Sequence, residues 1–266
     1  MGSWLPAGVE PFAGIAWWGI VIVFAAHAFG CLIRGAFGFG SNLPVVLITT
    51  FVLGPHHAIL LALLTTIVAQ SNLLPSALKD ADWQVARPLI AGLTAGTVLG
   101  TWLFTVLSAQ WLVLVLGVLL CVIVLMDWFD IVQRLTSHID LRSAQLASGF
   151  SFVGGTMGGI SGGGAFYFLV VYLKHACSTP AALRGTNVVL SVLVMCMRMV
   201  VVVLAGRMTL SLVAEALLLT PLVIAATWYG AQLFRSSRPA LFYATLQTLL
   251  FAGALALIAK GISRLA

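Results

Sequence analysis

Two glycine-rich stretches carry the clearest chemical signal in this sequence. Gly158, Gly159, Ser161, Gly162, Gly163 and Gly164 crowd into one short segment. Glycine weakens a helix and exposes its backbone, so this segment should open between two half-helices. The half-helix that follows then begins with unpaired N–H groups and the positive end of its dipole. Such an end captures anions. Gly38, Gly40, Ser41 and Asn42 make the matching element earlier in the chain. Ser41, Asn42 and Ser161 add side-chain donors. The same small residues also suit close packing of helices, and the sequence leaves both uses open.

Cationic residues inside apolar runs come next. Arg184, Asn187, Ser191 and Arg198 fall on one face of a helix over 180–204, because fourteen residues make close to four turns. Arginine is costly in lipid, so this stripe is expected to point into a bundle and line a path for an anion. The other reading is that Arg184, near the helix start, or Arg198 snorkels to an interface or pairs structurally. Arg34 either faces the same anion or marks the end of the first run. Thr65, Asn72 and Ser76 share a face of 57–78, for substrate lining or for hydrogen bonds between helices. His27, Asp127 and Glu215 are the candidate proton carriers. His27 lies deepest and is the coupling candidate, a satisfied interior hydrogen-bonder being the other reading, while Asp127 and Glu215 are read as interfacial. His56 and His57 sit in a short loop and imply only polarity.

The elements that must hold these groups are apolar. Of 266 residues, 61% are hydrophobic and 8% charged, against about 25% charged in soluble domains. Lipid is the solvent that such a chain fits. Ten runs approach membrane-crossing length: roughly 14–33, 37–53, 57–78, 84–107, 110–129, 145–159, 163–176, 180–204, 209–234 and 239–260. The net charge of +6 is scattered between these runs, which excludes the basic stripe of a nucleic-acid binder. Cys31, Cys121, Cys177 and Cys196 form no CxxC pair and read as small hydrophobes, not metal ligands. The start of the chain lacks the positive region of a signal peptide, so the first run is expected to stay in the membrane.

The chain repeats itself. Gly35, Gly38 and Gly40 match Gly159, Gly162 and Gly164 at an offset of 124, and Ala58 matches Ala182 at the same offset. The polar loop around 130–144, with Arg134, His138, Asp140 and Arg142, joins the halves. We therefore expect an all-α, polytopic bundle of two transmembrane repeats, 1–134 and 135–266, forming one membrane domain. Each repeat would hold a glycine-linked broken or re-entrant pair and three full helices. Five runs per half is an odd number, which inverts the second half relative to the first. Lys79, Arg87, Arg134, Arg142, Lys174, Arg235 and Arg238 gather on one side, against Arg207, Lys260 and Arg264 on the other. The richer side is assigned to the cytoplasm, with both termini outside.

Metalloprotease, nucleophile-elbow and nucleotide-loop signatures are missing, and no cofactor is expected. Ser161 in its glycine setting raises an intramembrane serine protease as a minor alternative, with His27 its only deep histidine. The residues quoted above resemble the TauE/SafE family of sulfite and organosulfonate exporters, grouped with toluene-sulfonate uptake permeases. The likeness runs over nearly the whole chain. It rests on Gly35 through Pro44 and Ala58, on Gly159 through Gly164, Ala182, Thr186 and Asn187, on Asp82-Trp83, and on the Gly96/Gly100 spacing. Phe39, Ser41 and Asn42 interrupt the first glycine cluster, and Phe168 stands where the first half has Pro44. The resemblance implies a secondary transporter exporting sulfite, sulfoacetate or a related anion across a bacterial-type inner membrane. The partners are then a small anion and the bilayer. A homo-oligomer is compatible with the sequence. An anion channel of the same architecture is the rival class, and a membrane-embedded assembly protein the third.

Overall fold

The structure is a computed structural model that describes residues 9–37, 42–129, 144–162, 169, 172–174, 176–233 and 239–265. Nine helices and no strands occur among them. They are α1 (Trp17–Phe37), α2 (Asn42–Leu53), α3 (Pro55–Asp80), α4 (Trp83–Val106), α5 (Ala109–Trp128), α6 (Ala144–Ser161), α7 (Pro180–Leu204), α8 (Leu210–Leu233) and α9 (Pro239–Leu265). The expected runs map onto these helices within a few residues. The run 163–176 lies mostly outside the described residues, as do Gly38, Gly40, Ser41, Gly163, Gly164, Arg134, His138, Asp140, Arg142, Arg235 and Arg238.

Local chemistry sets the helix starts. Pro55 and Pro180 open α3 and α7, where a missing N–H is harmless. Asp82 caps α4 by accepting from Gln84 N–H at 3.0 Å and Val85 N–H at 3.3 Å. Thr179 caps α7 through Ala182 N–H at 3.1 Å. Among the described residues, six helices are long and apolar enough to cross a membrane. Trp17, Leu204, Leu210 and Trp228 are more than 60% exposed on the outer surface, a disposition suited to lipid and not to water. Together these features make the chain a multi-pass integral membrane protein. α2, with 12 residues, spans only about 18 Å and cannot cross alone.

Lipid tails provide no hydrophobic drive between helices, so close backbone contact must hold the bundle. Gly92, Gly96 and Gly100 of α4 face the Ser148, Phe152 and Thr156 carbonyls of α6, where an added Cβ would lie 2.1 Å from each oxygen. Gly35 of α1 meets the Thr227 carbonyl of α8 in the same manner, and Gly230 returns the contact at Leu32. The Gly96/Gly100 spacing is thus a helix seam.

These contacts also give each helix a direction. Phe12 and His57 both reach Glu215, and Arg207 donates to the Thr105 carbonyl at 2.8 Å. The starts of α1, α3 and α8 and the ends of α4 and α7 therefore share one end of the bundle, here the His57 end. At the opposite end the Asp82 N–H donates to Thr186 Oγ1 at 2.8 Å, and Gly185 lies against Ala77 and Asp80. α6 runs parallel to α4 and begins at this second end. α1 packs on α8 as α6 packs on α4, α3 packs on α7, and α5 packs on α9.

Candidate functional site

Asn42, the first residue of α2, is buried. Its Oδ1 accepts from Arg34 Nη2 at 2.9 Å and from Thr66 Oγ1 at 2.5 Å. Its Nδ2 donates to the Gly162 carbonyl at 2.6 Å. Arginine can only donate and a carbonyl only accept, so the partners dictate which way the amide points. One side chain thereby ties α1, α2 and α3 to the end of α6, 120 residues away. The first-turn N–H groups of α2 and its positive dipole end lie in this cluster.

Arg198 of α7 reaches the same place from the other half. A Cβ on Gly162 would lie 3.8 Å from Arg198 Nη1. The guanidinium is fully buried, and its Nε, Nη1 and Nη2 have no hydrogen-bond partner among the described residues. No described carboxylate pairs with it; the one ion pair among the described residues joins His57 and Glu215. Guanidinium does not shed its proton in proteins. A buried, uncompensated cation costs several kcal/mol.

Asn187 and Ser191 lie buried on the same face of α7. Both amide atoms of Asn187 lack described partners, as do both amide atoms of Gln70 on α3. From Arg198 to Asn187 the polar stripe extends about 16 Å along the axis, with unsatisfied donors at each end. Ser161 closes α6 with its hydroxyl on the Met157 carbonyl at 2.8 Å. Gly162 then turns the chain at φ 86°, in the left-handed region that suits glycine.

Other expected residues fall elsewhere. Arg184 is exposed near the start of α7, with a long bond of 3.5 Å to the Gly35 carbonyl. Thr65 is buried, but Asn72 and Ser76 are exposed and bond to carbonyls of their own helix. That face leaves the bundle toward the end of α3. Thr66 and Gln70 are the residues of α3 turned inward, and sequence reasoning missed them. His27 is buried with its Nδ1 on the Val23 carbonyl at 2.8 Å. No described bond joins it to Ser161. Glu215, expected at the interface, is 1% exposed at the His57 end, where it holds Phe12 and His57. The side chain of Asp127 lies outside the described residues. The cysteines are free, with Cys31 buried, Cys121 and Cys177 intermediate, and Cys196 exposed.

Comparison with known proteins adds one finding. The family model described as "Sulfite exporter TauE/SafE" matches residues 22–257. No curated protein and no solved structure matches.

Proposed function

The chain belongs to the sulfite exporter TauE/SafE family of membrane transporters, and on that premise we propose that it exports a small oxyanion of the sulfite or organosulfonate class by alternating access. The observation that supports this reading is the buried Arg198 guanidinium, without an acceptor among the described residues, beside Gly162 and the Asn42 cluster. An oxyanion has the charge and the acceptor oxygens that Arg198 lacks, and charge-assisted bonds to a guanidinium are the strong ones. Asn42, Thr66, Gly162, Asn187 and Ser191 would surround it, with Arg34 held alongside.

We read the two halves as inverted-topology repeats. α1 and α3 start at the His57 end, whereas α6 and α7 start at the other. Gly35 seals α1 on α8, and its offset partner Gly159 seals α6 on α4. Rocking of such halves around a fixed central site would expose Asn42 and Arg198 to each side in turn. On the basic-loop rule, Lys79, Arg87 and Lys174 would face the cytoplasm of a bacterial-type cell, with the His57 end and both termini outside.

Purified protein in liposomes is the test. It should exchange radiolabelled sulfite or a sulfonate saturably, with counterflow. Arg198→Ala should cut that exchange about 100-fold, equivalent to ~2.7 kcal/mol. Exchange by Arg198→Ala at the wild-type rate would remove the site, and ohmic conductance in a planar bilayer would replace the carrier by a channel.

A further inference from the structure

Beside the short helix α2, the outer surface of the bundle is grooved. α1 supplies Trp18, Ile22 and Phe29 to the groove, and α2 supplies Pro44, Ile48 and Phe51. α9 closes the far side at Gly253, where an added Cβ would lie 2.3 Å from Leu47 Cδ2. The cavity measures about 560 Å³, and every residue lining it is apolar. It lies on the face of α2 turned away from the central cluster, because Val46, on the other face, meets Gly162.

The groove has a charged mouth. Trp17 and Trp18 open α1 at the His57 end and are 77% and 55% exposed. Exposed tryptophans suit the headgroup level of a bilayer. α5 leaves the same end directly after α4. Gly261 of α9 lies against Leu114 of α5, and Gly117 of α5 lies against Ala254 and Ile258, so α9 finishes at the His57 end. There Lys260 holds its Nζ 4.7 Å above the Phe51 ring, at the rim of the groove.

Depth and chemistry select the occupant. From Trp18 to Phe29 the groove follows about three turns of α1, roughly 16 Å. That is the depth of one leaflet in a hydrocarbon core about 30 Å thick. Water does not settle in an apolar recess. A membrane helix from a second copy needs the whole thickness, and the groove gives it half. A single acyl chain, entering from one leaflet, follows the groove from end to end. The phosphate of the same lipid then lies at Lys260. An ammonium has three donors and can bind phosphate oxygens while keeping its place over the ring.

We propose that the groove between α1, α2 and α9 is a binding site for one anionic phospholipid, with its phosphate on Lys260 and one acyl chain along α2. The chain would support, from outside, the short helix that carries Asn42 at its inner end. The site does not depend on which solute the protein moves.

Native mass spectrometry of the full-length protein in detergent tests this, with phosphatidylglycerol, phosphatidylcholine and glycerol 3-phosphate as probes. The first phosphatidylglycerol should bind the monomer about fivefold more tightly than phosphatidylcholine, the factor that one lysine supplies near a headgroup. Glycerol 3-phosphate, which has the phosphate without the chains, should not bind. Lys260→Gln should bring the two lipids within about twofold of each other. Ile22→Trp enlarges a side chain that is 37% exposed on the groove wall. It should fill the groove and weaken the first binding of both lipids by about tenfold or more, since it shuts out several methylenes. If Ile22→Trp does not fold, Ile48→Phe on the opposite wall is read in its place, with the same loss expected. A preference for phosphatidylglycerol that survives Lys260→Gln overturns the proposal, as does lipid binding unchanged by the filled groove. Glycerol 3-phosphate bound as tightly as the lipid also overturns it, by leaving a free-phosphate site. So does a dimer that the filled groove splits, which would give the groove to a second copy.

Discussion

Arg34 and Arg198 are both buried arginines near the middle of the bundle, one from each half, yet their surroundings differ. Arg34 donates to Asn42, whose amide also takes Thr66 and holds Gly162. Arg198 donates to no described residue. A protein folds readily around the first arrangement, because a buried donor with an acceptor loses little. The second arrangement lowers stability unless something beyond the described residues provides an acceptor. On the proposed reading, the difference separates an arginine that builds the site from one left for the substrate.

Opposite responses to the same substitution are the strongest way to break this comparison. Arg198→Met should cut anion exchange about 100-fold, as Arg198→Ala does, and leave the melting temperature equal to wild type or higher, since removing an uncompensated buried charge relieves the fold. It should also remove stabilisation by added anion, which reaches about 2.7 kcal/mol at a hundredfold excess over Kd in the wild type. Thermal melts with and without sulfonate check both. A lower melting temperature for Arg198→Met would mean that Arg198 supports the fold in the way Arg34 does.

Arg34→Met should act in the other direction. The acceptor on Asn42 loses a charged partner, and stability should fall by about 1–3 kcal/mol. Anion-induced stabilisation should survive in part, because Arg198 remains. Detergent-solubilised melts compare the two variants directly. Equal losses of ligand response in both would merge the two roles that the structure separates.

The helix seams sharpen the comparison at the level of packing. Gly96→Ala places a methyl group 2.1 Å from the Phe152 carbonyl, so α4 and α6 must part. Overpacking of this kind costs about 1–3 kcal/mol. Exchange kinetics per folded molecule should change less than stability does, because Gly96 belongs to the seam and not to the cluster. Measured together, folded fraction and KM separate the two effects.

Much of this arrangement was legible beforehand, for identifiable reasons. Arg198, Asn187 and Ser191 could be read as an inward stripe because they are the rare polar groups on an apolar helix, and spacing alone puts them on one face. Arg34, Asn42 and Gly162 were each named, but not their connection, since the bond from Asn42 to Gly162 crosses 120 residues. α3 was misread for a different reason. Its threonines and apolar residues surround the whole helix, so only packing against α2 and α7 decides that Thr66 and Gln70 face inward. Glu215 was placed at an interface because it lies near a run end. Its partner His57 is 158 residues away. An acid without a basic neighbour on its own helix was the available hint that a partner had to come from elsewhere.

The smallest effect concerns Gly162, where space and backbone make different demands. A Cβ there would meet Ile59 at 3.4 Å and Val46 at 3.5 Å, which is ordinary contact. The φ of 86° is the difficulty, because a residue with a Cβ is disfavoured in that region by about 1–2 kcal/mol. Gly162→Ala should therefore fold, with stability lowered by roughly 1 kcal/mol. Its methyl group would lie 3.8 Å from Arg198 Nη1, so it narrows the space on one side of the guanidinium without removing charge. KM for a bulky sulfonate should then rise more than KM for sulfite, with little change in kcat for either. A uniform loss for both anions would show that Gly162 matters through the turn it makes and not through the room it leaves beside Arg198.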